Sequence, residues 1–151
     1  MNSPAINRIL VGVDASDEAV LAAEYAIALA AQYDAELIAL EVIDAKEYEA
    51  LETGDREAEA LSADGKALLD EIAAKAKDSS VSCRGTVAYG FDTHRKLIHP
   101  GSVVLDIAEE MNTDFIVLPR PNIEGPRDMD GTLAKAAEYT LLYASQPVLS
   151  V

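Results

Sequence analysis

Arg8-Ile9-Leu10-Val11-Gly12-Val13-Asp14-Ala15-Ser16-Asp17-Glu18 is the stretch on which the fold turns. Residues 8–14 form a near-continuous apolar run of strand length, the pattern of a strand covered on both faces. The run ends in an acid. Ser16 follows as a good helix N-cap, and Asp17 and Glu18 suit the positive end of a helix dipole. Val20, Ala23, Ile27, Ala30 and Ala31 then recur at helical spacing up to about Tyr33. A buried strand that passes directly into a helix is the first half of a βαβ unit.

The alternation repeats along the chain. Residues 36–43 give a second strand, and a weak, strongly acidic stretch runs from Asp44 to about Thr53, read as a solvated face or a mobile lid. A helix follows over about 56–77, with Leu61, Leu68, Leu69, Ile72 and Ala76 on one side and Lys75 and Lys77 at its end. Val81 to Tyr89 alternates Val, Cys, Gly, Val and Tyr against Ser, Arg, Thr and Ala, a third strand with one more polar face. Residues 90–101 form a long loop, and a helix spans about 102–111. A strand at 114–118, a loop at 119–131 holding three of the six prolines, a helix at about 132–144 and a final strand at 147–151 complete the chain. The order β-α-β-α-β-α-β-α-β predicts a three-layer α/β sandwich on a five-stranded parallel sheet, because crossovers between parallel strands are right-handed. Ligands of such sheets bind beyond the carboxyl ends of the strands, where the segments after residues 14 and 118 both fall.

Composition narrows the function classes. At 151 residues, half of them apolar, the chain suits one domain over 1–151. No stretch approaches the roughly 18–20 apolar residues of a membrane span, and no secretory leader pattern opens the chain. The single Cys83 excludes an internal disulfide, and a cytoplasmic location is expected. The net charge of −15, from 27 acids against 12 bases, argues against nucleic acid and anionic membrane surfaces as partners. The acidity fits either solubility through self-repulsion or a salt-rich cytoplasm in which charges are screened.

The opening 8–16 run, Leu40-Glu41-Val42, Ile107-Ala108-Glu109-Glu110 with 114–118, Gly131-Thr132 and Gln146-Pro147-Val148-Leu149-Ser150-Val151 together resemble the universal stress protein family along essentially the whole chain. The resemblance implies a flavodoxin-like fold related to adenine-nucleotide hydrolases, a homodimer, and ATP or AMP as ligand. It implies a crevice bounded by Asp14, Ala15, Val42, Leu118, Gly131 and Thr132. In physical terms, the Asp14 carboxylate is placed to accept from a ribose hydroxyl or an adenine amine. Val42 offers backbone groups at a strand end. Gly131 and Thr132 open a helix whose N–H groups and positive end favour an anion.

One part departs from the family pattern. ATP-binding members carry G-x2-G-x9-G-[ST] after the fourth strand. Here Pro119 stands for the first glycine and Asn122 for the second, and Gly131 arrives one residue early. Proline has no N–H and fixes φ, so the loop is stiffer and poorer in donors than a phosphate cradle. Glu124, Asp128 and Asp130 add repulsion. A substitute anion device is visible in the two loops: Arg95, Arg120 and Arg127 as a guanidinium clamp, with His94 and His99 nearby. Those arginines also suit ordinary surface ion pairs. No third ligand joins the two histidines at metal spacing, and no nucleophile motif is present.

These features predict a non-catalytic regulatory or stress-response module with a degenerate nucleotide site. Its homodimer would form through strand 147–151, since symmetric pairing hides an exposed strand edge. Two alternatives stay open. One is an ATP/AMP switch or slow ATPase with a rebuilt 119–131 loop. The other is an interaction protein without a small ligand, such as the regulator of a membrane transporter.

Overall fold

The apolar N-terminal run is a strand with no wet face. In the computed structural model, which describes residues 4–14, 16–120 and 132–151, β1 (Arg8–Val13) is buried from Ile9 onward. Its neighbours are β2 (Glu36–Ile43), buried from Leu37 onward, and β4 (Phe115–Leu118). The edges are β3 (Cys83–Tyr89), beside β2, and β5 (Val148–Ser150), beside β4. All pairings are parallel, in the order β3-β2-β1-β4-β5. The three-layer α/β sandwich on a five-stranded parallel sheet is therefore the fold.

The helices divide between the faces. Ala19, Ala22, Ala23, Ala26 and Ala30 of α1 (Asp17–Tyr33) pack with Leu68, Ile72 and Ala76 of α3 (Arg56–Asp78) against Ile9, Val11 and Val13. On the opposite face Val103, Val104 and Ala108 of α4 (Pro100–Glu110) join Leu133, Ala136 and Ala137 of α5 (Thr132–Tyr143) over Leu10, Ile38 and Ile116. Gly12 lets α5 sit close to β1. A Cβ there would lie 2.6 Å from Leu118 Cδ2 and 3.1 Å from Leu133 Cδ2. Gly101 does the same between α4 and α5, where a Cβ would meet the Tyr139 ring at 2.6 Å.

Three local differences from the expected elements have physical causes. The acidic stretch after β2 is a helix, α2 (Ala45–Glu52), capped by Asp44, whose Oδ1 accepts from Glu47 N at 2.8 Å. Its apolar period is weak because it buries little beyond Ala45. Next, α4 begins at Pro100 rather than about 102. His99 is the cap, its Nδ1 accepting from Gly101 N at 3.1 Å, and Pro100 takes a position where a missing N–H costs nothing. The third concerns the apolar side of β3. Val81 and Cys83 pack against the α1/α3 core, but Val87 and Tyr89 are exposed because β3 is an edge strand.

Chain direction sets the site. The strands run outward from β1 through β2 to β3, and the chain then crosses to the other side of β1 to lay down β4 and β5. The reversal lies between β1 and β4, where open α/β sheets leave a crevice beyond the strand ends. The pairs Ile9↔Phe115, Leu10↔Ile116 and Val11↔Val117 keep those two ends level.

Candidate functional site

Asp14 leaves β1 at this reversal and is tied into the start of α1. Its Oδ1 accepts from Ser16 N at 2.9 Å and from the Ser16 hydroxyl, while Ser16 Oγ accepts from Ala19 N at 3.2 Å. Asp14 is thus part of the turn and cap that begin α1. Both contacts end on Oδ1, and among the described residues no donor reaches Oδ2. Across the crevice, Leu118 is fully buried and Pro119 is buried after it. Arg120 N donates to Val151 O and Val151 N donates to Leu118 O, so the chain leaves β4 still stitched to the terminal segment.

A cavity of about 290 Å³ lies at the same edge of the sheet. Asp44, Gly90, Leu97, Ile98, His99, Pro100 and Lys135 line it. Val42, the next-to-last residue of β2, is 6 % exposed. The loop after β3 folds back here, with Gly90 N donating to Ile43 O at 2.8 Å and Ile98 N donating to Gly90 O at 2.9 Å. A Cβ on Gly90 would touch Val42 Cγ1, so a bare backbone faces that side chain. His99 stacks on Tyr139 of α5, their ring centroids 4.3 Å apart.

The electrostatics at the β2 end are acidic. Burial, partly offset by Lys66, pushes the Glu41 carboxyl up from its ordinary value. Burial, with the nearby charges of Glu41 and Asp44, pushes Glu47 up as well. Gly65 of α3 leaves the space that the Glu41 carboxylate occupies. No group of three His, Cys, Asp or Glu side chains able to hold a metal ion occurs among the described residues.

The sequence-derived residues separate into three groups. Leu118 ends β4, Asp14 follows the last residue of the adjacent β1, and Val42 is the next-to-last residue of β2. Ala15, Gly131 and Arg127 lie outside the described residues, as does the rest of the 121–131 segment, while the backbone of Thr132 opens α5. Arg95 and Arg120 are not brought together. Their strands, β3 and β4, have β2 and β1 between them, a separation of about 14 Å at ordinary strand spacing. Arg95 instead pairs with Glu52 of α2, Nη2 to Oε2 at 3.1 Å. The cavity residues Gly90, Leu97, Ile98 and Lys135 were not singled out in the sequence. A His-Pro pair opening a helix was the available signal for that loop's position.

The whole-chain pattern matches the model of the universal stress protein family over residues 5–151. The chain belongs to that family. Universal stress protein UspA from Lactobacillus plantarum is similar at 23 % identity, TM-score 0.76, with 99 % of both chains covered. A universal stress protein in complex with cAMP aligns at 19 % identity and TM-score 0.65, covering 98 % of each chain. The universal stress protein from Archaeoglobus fulgidus in complex with dAMP aligns at 15 % identity and TM-score 0.63, covering 97 % of this chain and 98 % of that one. At these identities the likeness of a universal stress protein to its solved relatives speaks for the fold. No curated protein matches the chain in sequence. No helix among the described residues is long and apolar enough to cross a membrane.

Proposed function

We propose that this universal stress protein is a non-catalytic regulatory module of one domain, whose degenerate crevice holds an adenine nucleoside monophosphate in preference to ATP. The observation that carries this reading is the reversal between β1 and β4. It sets Asp14, with Oδ2 without a donor among the described residues, level with a strand that runs into Pro119 instead of a glycine. Asp14 Oδ2 accepts from a ribose hydroxyl, Val42 and the cavity beside Gly90 take the base, and the first turn of α5 from Thr132 receives the phosphate. Pro119 has no N–H to offer a second and third phosphate. The relatives bound to cAMP and dAMP support a ligand with a single phosphate.

Calorimetric titration with AMP, cAMP and ATP tests this. AMP or cAMP binds more tightly than ATP, and Asp14→Ala weakens that binding by about tenfold or more, the worth of one hydrogen bond to a charged group. ATP binding tighter than AMP would favour a switch or slow ATPase with a rebuilt 119–131 loop. Absence of any nucleotide binding would favour the ligand-free interaction protein.

The module is further proposed to act as a homodimer through β5. Among the described residues that strand is paired on one side only, by β4, and all three of its residues are part-exposed. Leu141, Leu142 and Tyr143, at 54, 70 and 64 % exposure, end the helix that leads to it. Sedimentation analysis is expected to show a dimer that Leu142→Glu weakens, and a monomer at all concentrations would remove this part of the reading.

A further inference from the structure

A second cavity lies against the loop after β3. Tyr48 of α2, Tyr89 at the end of β3 and Phe91 just beyond it form a triangle of rings. Their centroids are 5.6, 5.5 and 5.4 Å apart, and Tyr48 and Tyr89 are perpendicular. The chain holds six tyrosines and two phenylalanines, so this edge concentrates rings that a core would ordinarily use. They do not form a core here, because Tyr89 is 51 % exposed. A cavity of about 390 Å³, lined by Tyr48, Tyr89, Phe91, Asp92, Thr93 and Arg95, opens among them.

The cavity already takes a cation. The Arg95 guanidinium carbon lies 4.6 Å from the centroid of the Tyr48 ring and 5.6 Å from that of Phe91, and Glu52 accepts from Nη2. Residue 95 itself adopts φ 62°, a left-handed backbone that costs a residue with a side chain about 1–2 kcal/mol. The turn that holds it there is closed by Asp92, whose Oδ1 accepts from His94 N at 2.8 Å and Lys96 N at 3.0 Å. A guanidinium on a surface loop is ordinarily left in water. Here it is laid over ring faces and next to a carboxylate.

We infer that Tyr48, Tyr89 and Phe91, with Glu52, form a cage for the guanidinium or alkylammonium group of a small organic cation, and that Arg95 occupies it as a built-in competitor. Ring faces attract cations through their quadrupoles, most strongly where water is partly excluded. The Glu52 and Asp92 carboxylates, on a chain of charge −15, raise the local cation concentration further. A ligand that displaces Arg95 recovers the ring and Glu52 contacts. Net affinity therefore depends on a small difference between two similar cations. The site shares no lining residue with the cavity of the proposed nucleotide crevice.

The test uses Arg95→Ala, which vacates the cage, and Arg95→Met, which keeps an apolar stem in case the smaller residue impairs folding. Methylguanidinium is titrated at constant ionic strength, with N-methylurea as its uncharged analogue, while the ring resonances of Tyr48 and Tyr89 are followed by NMR. Both variants are expected to show saturable, methylguanidinium-specific shifts in the range of about millimolar, about tenfold weaker in the native chain, where Arg95 competes. Adding Tyr48→Leu is expected to remove them. Shifts that fail to saturate, that N-methylurea reproduces, that survive Tyr48→Leu, or that are equally strong in the native chain would each overturn the inference.

Discussion

Two parts of one rim are built in opposite ways. At the β1–β4 junction the chain is held by strand pairing and by aliphatic side chains with no solvent exposure, Val11, Ile116 and Leu118 among them. At the β3 edge it is held by three part-exposed rings, one guanidinium and a left-handed residue on a loop. The first region is rigid because every group that moves would open a void in a close-packed layer. The second rests on contacts whose individual worth is about 1 kcal/mol and which water can replace. Stability should therefore be concentrated at the junction, and adaptability at the edge.

Substitutions test this division directly. Leu118→Ala is expected to cost about 2–5 kcal/mol in urea unfolding, since it empties a fully buried site between β1 and α5. A loss below about 1 kcal/mol would mean that the junction is not the firmer region. Gly12→Val should cost about 1–3 kcal/mol by pushing Leu118 and Leu133 apart, with the loss reading as a lower urea midpoint at unchanged slope.

The strand between the two regions predicts a pH effect. Glu41 and Glu47 have carboxyls raised above their ordinary value by burial. In the window between that ordinary value and the raised ones, the folded chain holds protons that the unfolded chain has released. Stability from these groups is thus greatest below the window, falls as pH rises through it, and is level above. Urea midpoints measured from about pH 4 to pH 7 should decline less steeply in Glu41→Gln than in the native chain. Equal slopes would remove Glu41 from the account.

The smallest effect belongs to the edge. Arg95→Ala is expected to change stability by less than about 1 kcal/mol, because the Glu52 pair is solvent-exposed on both sides. A cost of several kcal/mol in the same unfolding experiment would make the edge a structural core and erase the contrast.

Much of this was legible before any coordinates. The 8–14 and 36–43 runs read as buried strands because both faces of a central parallel strand meet helices, so the pattern is continuous and needs no partner to be recognised. Ser16 as the cap of α1 was equally local, since its hydroxyl and the N–H it accepts from are three residues apart. Asp14 was read as standing where the first strand ends, and it directly follows Val13, the last residue of β1. Its bonds to Ser16, the turn also read from sequence, occupy only Oδ1. By contrast α2 escaped notice, because a helix that buries one alanine leaves almost no apolar period. The cap of α4 was hidden for another reason: histidine is an uncommon cap, and only the geometry of its Nδ1 shows the role.

The alternation of buried strands and amphipathic helices settled by itself that this chain is a parallel α/β sandwich, and the order of its short motifs settled its family. Those are properties of segments, decided by side-chain period and nearest neighbours along the chain. Which loops share a neighbourhood was decided only by tertiary structure. Arg95 and Arg120 both follow strands, yet two other strands part them, and Arg95 turns instead to Tyr48 and Glu52, more than forty residues back along the chain. The physical reason is that strand order depends on where the chain crosses β1, a choice made by packing both faces of the sheet at once and written in no single stretch of residues.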